Sequence, residues 1–213
     1  MKTLYVLSGL GADERVFYKI NFTGFKVVHI KWLVPQNSEK IENYAGRLTA
    51  QITTPTPILI GLSFGGMMAI EVAKHIATEK IILISSAKCR SELPFYFRLA
   101  GKLSIHKIIP SHALINANIF TNRFFSNRSR EDKNVILNVL RDTEPVFLKW
   151  AIACIATWQN KAVPQNIFHI HGSADRILPF KFISSPVKIK GGQHLMILNK
   201  ASEITDVIKA FIG

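Results

Sequence analysis

Short apolar runs alternate along the chain with longer segments whose apolar residues recur every three or four positions. Six of the runs have the length and composition of β-strands, and they span residues 2–8, 25–30, 57–60, 80–86, 166–171 and 186–190. Near-continuous apolar runs are typical of parallel strands covered on both faces, and alternation of strands with helices is typical of α/β proteins. We therefore expect an α/β fold with a doubly wound, mostly parallel sheet of about six strands.

Two of the segments between the strands carry residues that are typical of helix starts. Asp13 can accept a hydrogen bond from the first turn of a short helix over 13–20. Ser38 can do the same for a helix over 39–52. The apolar face of that second helix would consist of Ile41, Tyr44, Ala45 and Leu48. The sequence therefore predicts an amphipathic helix between the second and third strands.

The alternation is interrupted between the fourth and fifth strands. Residues 88–162 have helical periodicity and no convincing strand, and a structureless loop of this length would be exceptional in a compact domain. The segment is rich in aromatic and basic residues. No linker, repeat or low-complexity tract divides the chain. We therefore expect a single domain over 1–213, with 88–162 as an inserted helical segment.

The composition is that of a globular protein with a substantial core. Of the 213 residues, 48% are hydrophobic and 19% are charged. No run approaches the roughly eighteen consecutive apolar residues that a membrane-spanning helix needs. Strand-forming residues follow directly after the first three, which leaves no apolar core for a secretory signal. Cys89 and Cys154 are typical of free thiols in a reducing compartment, so we expect a cytoplasmic protein.

The net charge of +13 suggests an acidic partner as one interpretation. A nucleic-acid-binding protein would carry a basic stripe with interleaved aromatic residues, or a recognisable module. The lysines and arginines here are scattered along the whole chain, so we expect no nucleic-acid partner. Two interpretations remain: a solvated basic surface, which affects solubility more than fold, and weak attraction to anionic substrates or anionic surfaces.

The third strand runs directly into Gly61-Leu62-Ser63-Phe64-Gly65, and a helix-like segment follows. Gly-x-Ser-x-Gly between a strand and a helix is typical of a nucleophile elbow, a sharp turn that holds its serine in strained backbone geometry. A Cβ at either glycine would collide with neighbouring backbone. The turn would leave the Ser63 hydroxyl exposed above the sheet, at the N-terminus of its own helix.

A serine nucleophile needs a histidine base and a carboxylate that orients the histidine. The fifth strand ends in a glycine-containing loop that carries Asp175, and the sixth ends in Gly191-Gly192-Gln193-His194. In a parallel sheet, ligands bind beyond the carboxyl ends of the strands. Three strand ends therefore predict that Ser63, Asp175 and His194 form one group.

Other ionisable residues compete with these assignments. Glu92, shortly after the fourth strand, is the rival acid in a suitable place. His169 and His171 lie in or beside the fifth strand, and we interpret them as structural. The alternatives for the candidates themselves are a turn-stabilising aspartate at Asp175 and a solvated loop histidine at His194.

These motifs resemble those of the α/β-hydrolase superfamily, and the resemblance covers almost the whole chain. The segments 171–179 and 191–194 are similar to the family's acid and histidine loops, and 7–13 is similar to its oxyanion loop. Many members have His-Gly in that loop, where this chain has Ser8-Gly9. The resemblance implies a small, esterase- or lipase-like member that lacks the family's first two strands. It also implies that 88–162 forms a cap or lid over the site.

In this interpretation Ser63 attacks the substrate carbonyl, His194 takes its proton, and Asp175 holds the histidine tautomer. The candidate donors of the oxyanion hole are the backbone N–H groups of Phe64 and Leu10. Aromatic residues of the inserted segment are candidates for an apolar substrate pocket. These pocket candidates are Phe95, Phe97, Phe124 and Trp150.

The sequence accordingly predicts a serine hydrolase that cleaves a small carboxylic ester or thioester through an acyl-enzyme intermediate. One alternative is a ligand-binding protein on the same fold with negligible turnover, and another is acyl transfer or haloperoxidase-like chemistry. We expect no cofactor, because Gly9-x-Gly11 lacks the third glycine of a dinucleotide fingerprint. We expect no metal, because no metal-ligand spacing is present. The oligomeric state is not determined by the sequence.

Overall fold

The computed structural model describes residues 1–102 and 129–213. Within these ranges, six strands form one sheet: β1 (Thr3–Leu7), β2 (Lys26–His29), β3 (Ile58–Leu62), β4 (Lys80–Ile84), β5 (Ile167–Gly172) and β6 (Val187–Ile189). Their order across the sheet is β2-β1-β3-β4-β5-β6, and every neighbouring pair is parallel. The predicted sheet of about six parallel strands is confirmed.

Helices follow the strands in the same ranges. They are α1 (Ile41–Leu48), α2 (Phe64–Val72), α3 (Phe95–Lys102), α4 (Arg130–Arg141), α5 (Pro145–Thr157), α6 (Met196–Asn199) and α7 (Ala201–Ile212). Short 3₁₀ turns lie at Glu14–Phe17, Thr49–Gln51, Arg90–Glu92 and Phe180–Phe182. None of these helices has both the length and the apolar composition needed to cross a bilayer. The pocket candidate Phe124 lies outside the described residues.

The central strands bury alternate side chains on opposite faces of the sheet. Leu59 and Leu83 belong to the core on the side of α1, α2 and α5, and Ile60 and Ile82 belong to the core on the side of α4, α6 and α7. All four side chains are completely buried. Helices therefore cover both faces, which is the reason why the strand sequences are apolar almost throughout. The doubly wound arrangement is confirmed as well.

Two helices of the predicted insertion contribute to these cores. Ile136 and Val139 of α4 pack on one side of the sheet, and Phe147 and Ala151 of α5 pack on the other. That 88–162 acts as a cap over the site stays a prediction.

The two predicted helix starts have different outcomes. Asp13 does cap a turn, because its Oδ1 accepts the backbone N–H of Arg15 at 3.0 Å, but the turn is a short 3₁₀ helix at Glu14–Phe17. The start at Ser38 is wrong: α1 begins at Ile41, after a Lys40 that makes no side-chain cap. Its four predicted apolar residues are buried as expected.

The backbone around Ser38 explains that difference. Ser38 has a φ of 55°, in the left-handed region, and it lies in a turn closed by the Glu39 N–H donating to the Gln36 carbonyl at 3.1 Å. An N-cap residue needs an extended backbone instead. The turn is stabilised by the Glu39 carboxylate, which accepts the Gln36 N–H and pairs with Arg47. A tertiary ion pair thus overrides the local cap signal.

Candidate active site

Ser63 joins β3 to α2 in a strained backbone conformation, with φ of 52° and ψ of −118°. The glycines on either side make this turn possible. A Cβ on Gly61 would lie 2.4 Å from the carbonyl oxygen of Gly65, and a Cβ on Gly65 would lie 2.2 Å from the carbonyl oxygen of Ser8. Both distances are far inside van der Waals contact, so the chain can pass here only with glycine at both positions.

Hydrogen bonds from the neighbouring strand and loop hold this turn in place. The Ser63 N–H donates to the Ile84 carbonyl at the end of β4, at 2.9 Å. The Ser86 hydroxyl donates to the Ser63 carbonyl at 2.7 Å. With its backbone fixed from both sides, Ser63 presents a half-buried side chain at the carboxyl edge of the sheet.

The structure brings together the three residues that the sequence proposed for the site. Ser63 Oγ lies 2.8 Å from His194 Nε2, and His194 Nδ1 lies 2.8 Å from Asp175 Oδ2. An ionised carboxylate can only accept, so Nδ1 carries the imidazole hydrogen. Nε2 then carries no hydrogen and can accept the hydroxyl hydrogen of Ser63. The geometry is that of a serine activated by an oriented imidazole.

The loop after β5 fixes the carboxylate of Asp175. Its Oδ1 accepts the backbone N–H groups of Ile177 at 2.8 Å and Leu178 at 2.9 Å. Burial alone would raise the pKa of Asp175, but the charge of His194 and the hydrogen bonds from His171 and His194 outweigh it and hold the pKa well below its usual range. Asp175 is therefore ionised at neutral pH and can stabilise an imidazolium.

His171 is a functional candidate that the sequence interpretation missed. Its side chain is completely buried, and its Nε2 lies 2.8 Å from the Leu178 carbonyl oxygen and 3.4 Å from Asp175 Oδ2. The spacing in the sequence could have indicated this role, because His171 lies at a strand end, four positions before an acid in a tight glycine-containing loop. Its neighbour His169 contacts it through Nε2, which lies 3.2 Å from Nδ1 of His171.

The rival acid Glu92 is engaged elsewhere. One of its oxygens accepts the Lys88 N–H at 2.7 Å, and the other accepts the N–H of Ser184 at 3.0 Å and its hydroxyl at 2.5 Å. These bonds join the segment after β4 to the segment before β6. The contacts of Glu92 are therefore those of a structural clamp, and the carboxylate that meets His194 is that of Asp175.

The loop after β1 lies against Ser63. A Cβ on Gly9 would be 3.5 Å from the Cβ of Ser63, which is an ordinary van der Waals distance, so Gly9 lies beside the serine side chain. The Ser8 hydroxyl donates to the Ala12 carbonyl at 2.7 Å, and the Trp32 indole N–H donates to Ser8 Oγ at 3.0 Å and to the Ala12 carbonyl at 3.3 Å. Trp32, which the sequence interpretation did not single out, therefore braces this loop.

The two candidate oxyanion donors occupy suitable backbone positions. Phe64 is the first residue of α2, where backbone N–H groups have no acceptor within the helix. Leu10 lies inside the turn that the Ala12 N–H closes on the Gly9 carbonyl at 3.2 Å. That these two N–H groups bind an oxyanion stays a prediction.

Aromatic rings surround the side chain of Phe64 directly after the serine. The ring centroids of Trp32, Phe147 and Trp150 lie 5.7, 6.2 and 6.1 Å from that of Phe64. Trp32 also stacks on Phe147 at 5.0 Å. Of this group, only Trp150 was among the pocket residues predicted from the sequence. The aromatic cluster beside the elbow combines Trp32, from the segment after β2, with two residues of α5.

The three described pocket candidates differ in their surroundings. The Trp150 N–H donates to the Glu39 carbonyl at 2.8 Å, so this indole is anchored to the segment before α1. Phe97 is half-buried against the core, whereas Phe95 is 61% exposed. A role of these residues in a substrate pocket stays a prediction.

Besides Ser63, the described residues offer possible metal ligands and two cysteines as candidate reactive groups. Among those residues, no group of three or more His, Cys, Asp or Glu side chains is arranged to hold a metal ion. Cys89 and Cys154 are both free, and burial raises the pKa of Cys154 to about 12. Burial thus makes Cys154 a poor nucleophile, and Ser63 stays the candidate.

No protein-family model and no curated protein matches the sequence. Solved structures match along the whole chain. An esterase from Thermogutta terrifontis has 17% identity and a TM-score of 0.73, over 100% of this chain and 89% of the esterase. A bromoperoxidase from Bacillus anthracis has 17% identity and a TM-score of 0.72, over 99% and 91%. A hydrolase from Pseudomonas aeruginosa has 13% identity and a TM-score of 0.76, over 100% and 90%. With its parallel sheet and strand-to-helix serine turn, the chain has the α/β-hydrolase fold that its motifs predicted.

Proposed function

We propose that the protein is a serine hydrolase that cleaves a small carboxylic ester or thioester through an acyl-enzyme intermediate. The observation that carries this proposal is the continuous hydrogen-bond path from Ser63 through His194 to Asp175, with both links at 2.8 Å. A protein that only bound a ligand would need neither the strained serine turn nor an oriented base behind it. The esterase and the hydrolase among the similar structures support the same class of reaction.

The reaction follows from the geometry in two half-reactions. The Ser63 oxygen forms a bond to the substrate carbonyl carbon while its proton moves to His194 Nε2, and the ionised Asp175 stabilises the resulting imidazolium. When the tetrahedral intermediate collapses, the same proton passes to the leaving alkoxide or thiolate. Water, deprotonated by His194, then attacks the acyl-enzyme; as this second intermediate collapses, the bond to Ser63 Oγ breaks, His194 returns the proton to that oxygen, and the acid is released. The N–H groups of Phe64 and Leu10 would stabilise the oxyanion by about 3 kcal/mol each.

The aromatic cluster at the elbow supports a substrate with an apolar acyl or alcohol part. Trp32, Phe147 and Trp150 surround Phe64, whose backbone N–H is a proposed oxyanion donor. Each further buried methylene contributes about 0.8 kcal/mol, so kcat/KM should rise about fourfold per carbon until the pocket is full. Esters from acetyl to octanoyl test this, and a flat chain-length profile would contradict it.

Active-site labelling tests the nucleophile and the acid together. A fluorophosphonate should label the wild-type protein at Ser63, as located by peptide mass spectrometry, and Ser63→Ala should lose both labelling and ester hydrolysis. Asp175→Asn should lower kcat by about 10⁴, the loss typical of a mis-oriented triad histidine. Glu92→Gln is the matched control and should stay within about tenfold of wild type, because its carboxylate only clamps two loops. Labelling of another serine in Ser63→Ala would refute the assignment.

Haloperoxidase-like chemistry is the second candidate, and the similar bromoperoxidase favours it. A serine hydrolase of this kind would release acid from ester in the absence of peroxide. Bromination that needs peroxide and bromide, with no ester hydrolysis, would instead support the second candidate. Transfer of the acyl group to an added alcohol would identify an acyltransferase on the same triad.

A further inference from the structure

Two buried histidines stand behind the acid of the proposed triad. His169 and His171 are alternate residues of β5, so both side chains point to the same face of the sheet. Their rings meet nearly at right angles, with centroids 5.1 Å apart, and His169 Nε2 lies 3.2 Å from His171 Nδ1. Asp175 follows four residues after His171. The proposed mechanism assigns neither histidine a part in moving the proton.

The surroundings of His171 determine its tautomer. Its Nε2 faces the Leu178 carbonyl oxygen at 2.8 Å and Asp175 Oδ2 at 3.4 Å. A carbonyl and an ionised carboxylate can only accept, so Nε2 must carry a hydrogen; the Leu178 carbonyl is the nearer acceptor, and the Asp175 carboxylate lies beside it. Asp175 Oδ2 is also the oxygen that accepts from His194 Nδ1 at 2.8 Å. Two imidazoles therefore approach one carboxylate oxygen, one from β5 and the other from the loop after β6.

His169 completes the arrangement as a neutral donor. Burial, followed by the charges of His171 and Lys88, lowers the pKa of His169 well below its usual value. A neutral His169 can donate its Nε2–H to Nδ1 of His171. Its Nδ1 is buried without a hydrogen-bond partner among the described residues, and a contact with the Ser86 backbone acts on the pKa of His169 in the opposite direction. The order His169, His171, Asp175, His194, Ser63 is thus a continuous series of polar contacts.

We propose that His171 is a positioning residue that holds Asp175 Oδ2 towards His194 and shares the negative charge of that oxygen. This inference rests on the proposed function, because it assumes that His194 acts as the base for Ser63. It gives His171 a role through Asp175, without contact with the substrate.

Among the described residues, the titratable groups next to this series come from three parts of the sheet. His169 and Asp175 come from β5 and its loop, His194 comes from the loop after β6, and Lys88 comes from the segment after β4. The Lys88 Nζ lies 3.4 Å from a Glu92 oxygen, which partly neutralises it. Without the His171 N–H, less of the negative charge of Asp175 is compensated. Asp175 then stabilises the imidazolium of His194 more strongly. The direction is the same whether His171 is neutral or protonated.

Three variants separate positioning from simple core damage. His171→Leu removes the donor. His171→Gln restores an amide N–H at the place of Nε2. His169→Leu is the matched control, with the same substitution on the same face of the same buried strand but no contact with Asp175. Each is measured by NMR titration of the His194 imidazole and by the pH profile of kcat/KM, with urea unfolding as the measure of stability.

We expect His171→Leu to raise the pKa of His194 by about half a unit to one unit, because a hydrogen-bond donor to its counter-ion is lost. Its kcat/KM should then fall about three- to tenfold more at about pH 6 than on the alkaline plateau. His171→Gln should keep the wild-type profile, and His169→Leu should lose stability without a shift. A uniform loss of kcat/KM with an unchanged His194 pKa in His171→Leu, or an equal shift in His169→Leu, would overturn the proposal.

A second pair of variants and a measurement independent of turnover complete the test. If His171→Leu does not fold, His171→Gln is compared with His171→Asn, whose shorter amide does not reach Asp175; equal His194 pKa values in that pair would overturn the proposal. The NMR titration needs no turnover. A pKa shift in a protein that neither hydrolyses esters nor reacts with a fluorophosphonate would therefore refute the proposed function and support the positioning role.

Discussion

Gly172 is the point where the loop of the acid touches the loop of the histidine, and it should tolerate no side chain. A Cβ on Gly172 would lie 2.2 Å from the carbonyl oxygen of Gly192 and 2.5 Å from its carbonyl carbon. Ordinary van der Waals contact begins at 3.4 Å, so Gly172→Ala must separate the two loops by about 1.2 Å. The contact is with backbone, which cannot rotate away as a side chain can.

This displacement is large on the scale of the site. His194 Nδ1 and Asp175 Oδ2 are 2.8 Å apart, and the added separation would take them to about 4 Å, beyond hydrogen-bond distance. Misplacement of a catalytic group by about 1 Å costs about 10²-fold in rate. Overpacking should also lower the free energy of unfolding by about 1–3 kcal/mol. We therefore expect kcat to fall about a hundredfold in Gly172→Ala, with KM nearly unchanged.

Gly191→Ala is the control in the same pair of loops. Gly191 has a φ of 70°, but a Cβ there would meet no atom within 4 Å, so the variant incurs backbone strain of about 1–2 kcal/mol and no collision. Its kcat should stay within about threefold of wild type. Steady-state hydrolysis of a p-nitrophenyl ester, at a temperature where circular dichroism finds both variants folded, measures the difference. Wild-type kcat in Gly172→Ala, or the same loss in both variants, would refute the reasoning.

Three other changes test different parts of the structure. Trp32→Phe keeps an aromatic ring against Phe147 but removes the N–H that donates to Ser8 Oγ and to the Ala12 carbonyl. We expect kcat to fall about tenfold at constant KM, and unchanged kinetics would contradict the bracing role. The pKa of Asp175 is lower in the folded than in the unfolded state, so its stabilisation is complete above about pH 4 and is lost as the pH falls further. The free energy of unfolding, measured in urea, should accordingly fall more steeply with decreasing pH in the wild type than in Asp175→Asn. Parallel plots of this free energy against pH for the two proteins would contradict the prediction. Trp158→Phe removes the buried donor to Glu71 Oε1 at 2.7 Å; the free energy of unfolding should fall by about 1.5–3 kcal/mol with kcat unchanged, and a change in kcat alone would place Trp158 in the site instead.

The sequence by itself determined the features that depend on local pattern. Near-continuous apolar runs predicted the six strands, because a strand covered on both faces needs apolar residues at every position. Gly61 and Gly65 predicted the serine turn, because no other residue fits where a Cβ would meet backbone within 2.4 Å. The loops of Asp175 and His194 followed from strand ends, since parallel strands present their carboxyl ends at one edge.

Only the tertiary structure decided which groups meet across long separations in the chain. Ser38 has the residue type of a helix cap, but the ion pair of Glu39 with Arg47 stabilises a turn there instead. Trp32 reaches Ser8 because β2 lies beside β1, and this pairing is not encoded near either residue. The sequence favours a structural role for His171, because this residue lies in or beside the fifth strand. Its approach to Asp175 depends on how the loop after β5 turns back over the strand, and that turn is set by backbone hydrogen bonds and by close packing against Gly192 rather than by side-chain periodicity.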